Sequence, residues 1–206
     1  KTFAKVLAQR WDLMATFMAK WSPDYPGQSG HLHQSLWNKD GSSAFHDESN
    51  EHNLSDVFRH YLAGQIQLLP KVLPMIAPTI NSYARMIKGF WAPTHSNWGI
   101  DNRTCAIRVI PGSPKSHRLE YRISAADGNP YLAQAASIAC GLYGIKNKLE
   151  LPPMIEGNAY DLKTSPSNVE LPNTLEKSIN SFSKSKIMRE LFGDAWVDHF
   201  TLTREW

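Results

Sequence analysis

The stretch Arg118-Leu-Glu-Tyr-Arg122 concentrates the side chains of this chain most able to do chemistry. In an extended strand Arg118, Glu120 and Arg122 project from one face and Leu119, Tyr121 and Ile123 from the other. The strand-like run before it places Arg108 between Ile107 and Val109, while Arg103 and Lys115 stand in the adjoining loop and turn. Five cations thus gather around one carboxylate. A solvated sheet face laced with cross-strand ion pairs is one reading of such a pattern. The surplus of positive charge favours a second, a site for an anionic ligand, because guanidinium forks match the oxygens of phosphate and carboxylate.

Residues 29–37 alternate with period two, so that Ser29, His31, His33, Ser35 and Trp37 share one face and Leu32 and Leu36 the other. Imidazoles at i and i+2 can hold a common ligand or metal, or can simply line a half-exposed strand. With Glu120 they could enter an oxygen-rich divalent-cation site, whose remaining ligands must come from elsewhere. Other chemistries fall away. No Walker loop, G-x-G-x-x-G or Ser-His-Asp order occurs, so any ATP site uses a different cradle. Cys105 and Cys140 read as structural thiols, and the Asn102-Arg-Thr104 sequon as coincidence.

The elements that must position these groups are of mixed type. Apolar spacing over residues 3–21 suggests a short helix followed by a strand at Met14-Ala-Thr-Phe-Met18, ended by the Pro/Gly cluster 22–28. Ser55 caps a helix through about Leu69, where Pro70 breaks it. Residues 86–103 read as one long loop, 105–110 and 118–124 as a hairpin, and 147–171 as loop. Asn129-Pro130 opens a helix to about Lys146, whose small residues suit close packing on a sheet. A further helix carries Leu175, Ile179, Phe182 and Ile187 to Gly193, and another starts near Asp194. The fold class expected is α+β.

Composition sets the outer bounds. A chain of 206 residues, 42% hydrophobic and 20% charged, suits one sizeable globular domain. With 22 basic against 19 acidic residues and no Lys/Arg block, dedicated nucleic-acid binding is not expected. Apolar runs fall well short of a membrane span. Two cysteines and no signal peptide point to a reducing, cytoplasmic setting. Both ends read as cut, Arg204-Glu205-Trp206 stopping in mid-element, so a fragment of a longer chain is expected.

Several blocks in order resemble the catalytic domain of the glutamine synthetases, class I line. They are Gly27-Gln-Ser-Gly-His-Leu-His-Gln-Ser-Leu-Trp37, Asn81-Ser-Tyr-Ala-Arg85, Trp98-Gly-Ile-Asp-Asn-Arg103, Ser113-Pro-Lys-Ser-His-Arg-Leu-Glu-Tyr-Arg122 and Asn129-Pro-Tyr-Leu132. Gly141-Leu-Tyr-Gly-Ile145, Gly157-Asn-Ala-Tyr160 and Leu171-Pro172 extend the likeness over most of the chain. The resemblance implies ATP-dependent formation of a γ-glutamyl amide from glutamate and ammonia or an amine through γ-glutamyl phosphate, with Mg2+ or Mn2+. His31 matches a metal ligand and Glu120 the carboxylate bridging metal and phosphate. Arg85 and Arg122 match arginines on the substrate carboxylate and the transferring phosphoryl group, with Gly27 in the glutamate-binding loop. Arg103 and Arg108 match residues on the ATP phosphates and phosphoryl group, Ser35, Lys115 and Arg118 match nucleotide contacts, and His33 lies beside the phosphates. The resemblance also implies a ring-shaped homo-oligomer with shared sites, and an upstream N-terminal β-grasp domain and further metal carboxylates beyond this chain.

Two departures within the chain bear on specificity. The family's Ser-Gly-Met before the first histidine is here Gln28-Ser29-Gly30, and its preceding Asn is Pro26. More sharply, the flap glutamate of ammonia-using members is matched by Trp91, with no carboxylate in residues 88–96. An indole can pack an alkyl group or face a cation but cannot replace an ammonium-binding carboxylate. The expectation is therefore a ligase for an amine larger than ammonia, as in γ-glutamyl-amine ligases. A plain glutamine synthetase, a non-catalytic relative and an anion-binding module are the alternatives. For covalent control, Tyr160 is a weak match to the family's modified tyrosine.

Overall fold

The computed structural model describes residues 1–204, so the end of the Arg204–Trp206 reading, Glu205 and Trp206, lies outside the described residues. Four strands form the sheet that carries the site: β1 (Leu32–Gln34), β3 (Trp98–Ile100), β4 (Ile107–Ile110) and β5 (Arg118–Tyr121), in the order β1-β5-β4-β3. β5 pairs antiparallel with both β1 and β4, as the hairpin reading required. Its Leu119, Tyr121 and Ile123 enter the core with Ile107 and Val109, which leaves Glu120 and its neighbours on the opposite face.

The long loop expected over residues 86–103 is instead partly sheet. β2 (His95–Ser96) pairs with β6 (Val169–Glu170), and β3 runs parallel to β4 with Gly99 opposite Arg108. Parallel neighbours ordinarily need a long crossover, yet residues 101–106 alone make this return. Asparagine side chains supply the backbone partners that so tight a path cannot find. The Asn97 carboxamide oxygen accepts from the Ala106 N–H, and Asn102 accepts from Thr104 while donating to the Gly157 carbonyl. The Gly, Asn and Trp residues there mask two short strands, and Asn97 and Asn102 have structural uses.

The helices are α1 (Thr2–Gln9), which buries no residue, α2 (Asp56–Val72), α3 (Ile80–Arg85), α4 (Pro130–Lys146), α5 (Leu175–Ser183), α6 (Lys186–Phe192) and α7 (Asp194–Leu202). The Ser55 cap is present, its hydroxyl accepting from the Phe58 N–H. α2 nevertheless continues past Pro70. A proline there strands the Ile66 carbonyl, and the Ser96 hydroxyl donates to it from β2. The Asn129 cap and Pro130 begin α4 as expected. The helix expected over 175–193 is two, because Ser185 caps a fresh start. Residues 14–18 form no strand; Met14 is 92% exposed, and no neighbouring strand offers the pairing a strand needs.

The small residues of α4 serve a helix rather than the sheet. At its crossing with α2, a Cβ on Gly144 would stand 2.1 Å from the His60 carbonyl oxygen, and one on Gly64 would stand 2.2 Å from that of Cys140. Those targets are backbone and cannot swing aside. Gly144→Ala should therefore lower stability in urea unfolding by about 1–3 kcal/mol, despite alanine's higher helix propensity.

Candidate active site

Glu120 sits where three strands bring their polar faces together. The registers place His33 opposite it on β1 and Arg108 opposite it on β4. Its Oε1 lies 3.0 Å from an Arg122 guanidinium nitrogen and 2.8 Å from His31 Nδ1, and its Oε2 lies 3.3 Å from Arg108. The residue is 5% exposed. Burial alone would raise its pKa, but the Arg122 charge and hydrogen bonds from Arg122 and Arg108 overcome this and hold the carboxyl below its usual range. Glu120 is thus an anion held by cations.

His31 is pushed the other way. Burial and then Arg122 lower its pKa, against the pull of Glu120, so the imidazole is neutral near pH 7. Beside an ionised carboxylate its Nδ1 carries the proton and donates. Nε2 is then the lone-pair nitrogen, 2.9 Å from the Ser29 hydroxyl, which donates to it. His33 stands 3.9 Å from Glu120 and its Nδ1 accepts from Arg118 at 3.2 Å. Arg118 also donates to the Ser116 carbonyl, which holds it over the hairpin turn.

Of the five cations grouped by sequence, Arg108 and Arg122 touch Glu120. Arg118 reaches the same face through His33, whereas Arg103 and Lys115 are exposed and make no contact with the cluster among the described residues. Arg108 is shared with Asp101 at 2.8 Å. Even with Asp101 counted, cations on this face outnumber carboxylates. Arg122 further has a buried Nε with no partner among the described residues, a donor left for an anionic oxygen. Arg85, 3% exposed, does not face the carboxylate; it donates to the carbonyls of Ile123 and Arg122 and so braces the backbone that presents Arg122. Burial and then Arg122 push its pKa down to about 10.

Gly27 lies against Arg85. A Cβ there would stand 2.4 Å from the Ala19 carbonyl and 2.7 Å from Arg85 Cγ, so only glycine lets this loop close on the arginine. Ser35 is exposed and accepts from the Trp37 indole N–H. Trp91 is 60% exposed at a φ of +60°. Two residues escaped sequence reasoning. Asp101, in the turn after β3, gave no signal of its pairing with Arg108, and the place of Ser29 on the His31 face did not reveal their hydrogen bond. The cysteines are inert: burial raises Cys105 to about 12 and raises Cys140 further.

As a divalent-metal site the residues fit in part. His31 and Glu120 are in contact, one a neutral imidazole and one a carboxylate. Among the described residues, however, no group of three or more His, Cys, Asp or Glu gathers to complete a shell. An ion held here would need further oxygens from ligand, water or other polypeptide.

The whole chain, residues 1–206, matches the family model described as "Glutamine synthetase, catalytic domain". The chain belongs to the glutamine synthetase catalytic-domain family. It is 49% identical over 209 residues to "Type-1 glutamine synthetase 2" of Dictyostelium discoideum, covering 100% of this chain and 40% of that protein. It is 40% identical over 207 residues to "Glutamate--isopropylamine ligase" of Pseudomonas sp, covering 100% and 45%. A solved structure described as "Apo GmaS without ligand" superposes with a TM-score of 0.86 at 28% identity, over 98% of this chain and 46% of that one. The glutamine synthetase-type α+β fold is therefore established, and the chain spans less than half the length of these relatives.

Removing the carboxylate of Glu120 leaves Arg122 buried and unpaired, so Glu120→Ala should cost about 3–5 kcal/mol in urea unfolding. Arg103→Ala, at an exposed side chain with no ion pair among the described residues, should change stability by no more than about 0.5 kcal/mol.

Proposed function

We propose that the protein of which this chain forms part is an ATP- and divalent-metal-dependent ligase joining glutamate to an amine through γ-glutamyl phosphate. The observation carrying this reading is the cationic face centred on Glu120, where Arg108, Arg122 and, through His33, Arg118 stand against the two carboxylates Glu120 and Asp101. Phosphoryl transfer is mainly positioning and charge neutralisation, and fixed guanidinium groups provide both. A scaffold or regulatory relative has no use for so costly a cluster. That argues against the non-catalytic alternative, and an anion-binding module would differ from the ligase in lacking metal-dependent turnover.

In this reading Arg108, Arg103, Lys115 and Arg118 take the nucleotide phosphates, with His33 and Ser35 along the same edge. His31 and Glu120 would contribute to holding Mg2+ or Mn2+, which would neutralise phosphate charge between the nucleotide and the glutamate carboxylate that accepts the phosphoryl group. Arg122 meets the transferring phosphoryl group, and Gly27 allows the glutamate loop to close on Arg85. The γ-phosphoryl passes from ATP to the glutamate side-chain carboxylate, releasing ADP. The amine nitrogen then attacks the acyl carbon, the C–O bond to phosphate breaks, and phosphate and a proton depart. A ring-shaped homo-oligomer in the cytoplasm, sharing each site between neighbours, completes the reading.

The amine is the finer question. By resemblance Trp91, which is exposed, replaces the carboxylate that ammonia-using members need to bind ammonium and take its proton, so we infer a substrate whose alkyl part packs on the indole. The isopropylamine ligase among the relatives is consistent with this. The Dictyostelium relative, named a glutamine synthetase, favours the second reading, ammonia as substrate. Glutamate-dependent phosphate release from Mg-ATP, compared across ammonium and mono-, di- and polyamines, separates the two. An alkylamine should give the higher kcat/KM, and Trp91→Glu should shift the ratio toward ammonium about tenfold or more. An unchanged ratio contradicts the assignment of Trp91, and silence with every amine contradicts the ligase.

A further inference from the structure

Lys20 is 6% exposed, and no carboxylate lies within the 4 Å of an ion pair among the described residues. A buried ammonium without an acid needs another use. Its Nζ donates to the Tyr25 carbonyl and stands 4.4 Å from the centroid of the Phe90 ring. These two contacts join separate parts of the site. Tyr25 lies two residues before Gly27, in the loop that closes on Arg85, and Phe90 immediately precedes Trp91.

The segment 87–91 has few other attachments. Ile87, Lys88, Gly89 and Trp91 are exposed, and Phe90 is its half-buried member. Its backbone hydrogen bonds are local, from Ile87 N–H to the Arg85 carbonyl and from Phe90 N–H to the Ile87 carbonyl. Gly89 and Trp91 both have positive φ, so the turn aims Trp91 only while the backbone stays in an uncommon conformation. Lys20, by contrast, is firmly seated: Asn81 of α3 accepts from its N–H and donates to its carbonyl. The same helix ends in Arg85.

We propose that Lys20 is a positioning residue, whose cation–π contact with Phe90 tethers the segment bearing Trp91 to the Gly27 loop and so fixes where the amine meets the indole. The tether deepens the reading of Trp91 and rests on it for amine use, while the physical link itself can be measured without turnover. A desolvated cation–π contact is large enough to shift such a segment's opening several-fold.

The test is amide hydrogen exchange across 87–91 in the intact protein, for Lys20→Met, Phe90→Leu, the double variant and Lys20→Arg, with steady-state kinetics alongside. Lys20→Met and Phe90→Leu should each speed exchange at Phe90 about fivefold or more. The double variant should add little beyond either, because both remove one contact. Lys20→Arg should restore protection. In turnover, the KM for the amine should rise about three- to tenfold with the KM for ATP unchanged. Should Lys20→Met fail to fold, Phe90→Leu alone still reads the contact, because it leaves Lys20 and its bond to Tyr25 in place. Unchanged exchange at Phe90, or fully additive effects of the two substitutions, overturns the tether. Faster exchange in a protein that forms no amide with any amine supports the tether and overturns the ligase reading instead.

Discussion

The carboxylate of Glu120 is the constraint around which this structure is arranged. Buried on the central strand of the sheet, it is kept charged by Arg122 and Arg108, and in turn fixes the proton of His31 on Nδ1. Every neighbouring strand contributes to that environment through register: β1 supplies His33 and β4 supplies Arg108. A one-residue slip would exchange these groups with Leu32 or Val109 and bury cations in the core. The apolar face of the same strands, packed beneath α2 and α4, makes such a slip costly. The fold specifies the site because the same register decides both faces.

The charge balance then gives the site its character. Arg108 is divided between Glu120 and Asp101, Arg118 rests on the His33 ring, and Arg122 keeps one buried N–H unpaired among the described residues. A protein gains little stability from such an arrangement, since unpaired buried donors and crowded cations are both unfavourable. An anionic ligand, as proposed above, would satisfy these groups together. Membership of the glutamine synthetase catalytic-domain family is in keeping with that chemistry.

Much of this was legible in the sequence because short-range signals governed it. The alternation around Glu120, the Ser55 and Asn129 caps and the hairpin after Ile110 all express local stereochemistry, and each stands as read. The rest depended on contacts distant in sequence. Pro70 does not end α2, because a serine from β2 takes over the carbonyl it strands. The strand β3 was masked by residues whose side chains complete an unusually short parallel return. The apolar residues at 14–18 suggest a strand but form none, and the small residues of α4 fit a helix, not the sheet. Lys20 carried no signal at all, since a lone lysine reads as surface until burial and the Phe90 ring reveal otherwise.

The central claim is that Glu120 and His31 couple a divalent ion to nucleotide binding on the arginine-rich face. Calorimetric titration of the intact protein with ATP, across a series of Mn2+ concentrations, tests it most directly, with Glu120→Gln run in parallel. Nucleotide affinity should tighten at least tenfold with Mn2+ in the unmodified protein, and that dependence should be lost in the variant while weak metal-free binding to the arginines persists. Equal tightening by Mn2+ in both proteins would contradict the assignment of Glu120, and with it the account of the site.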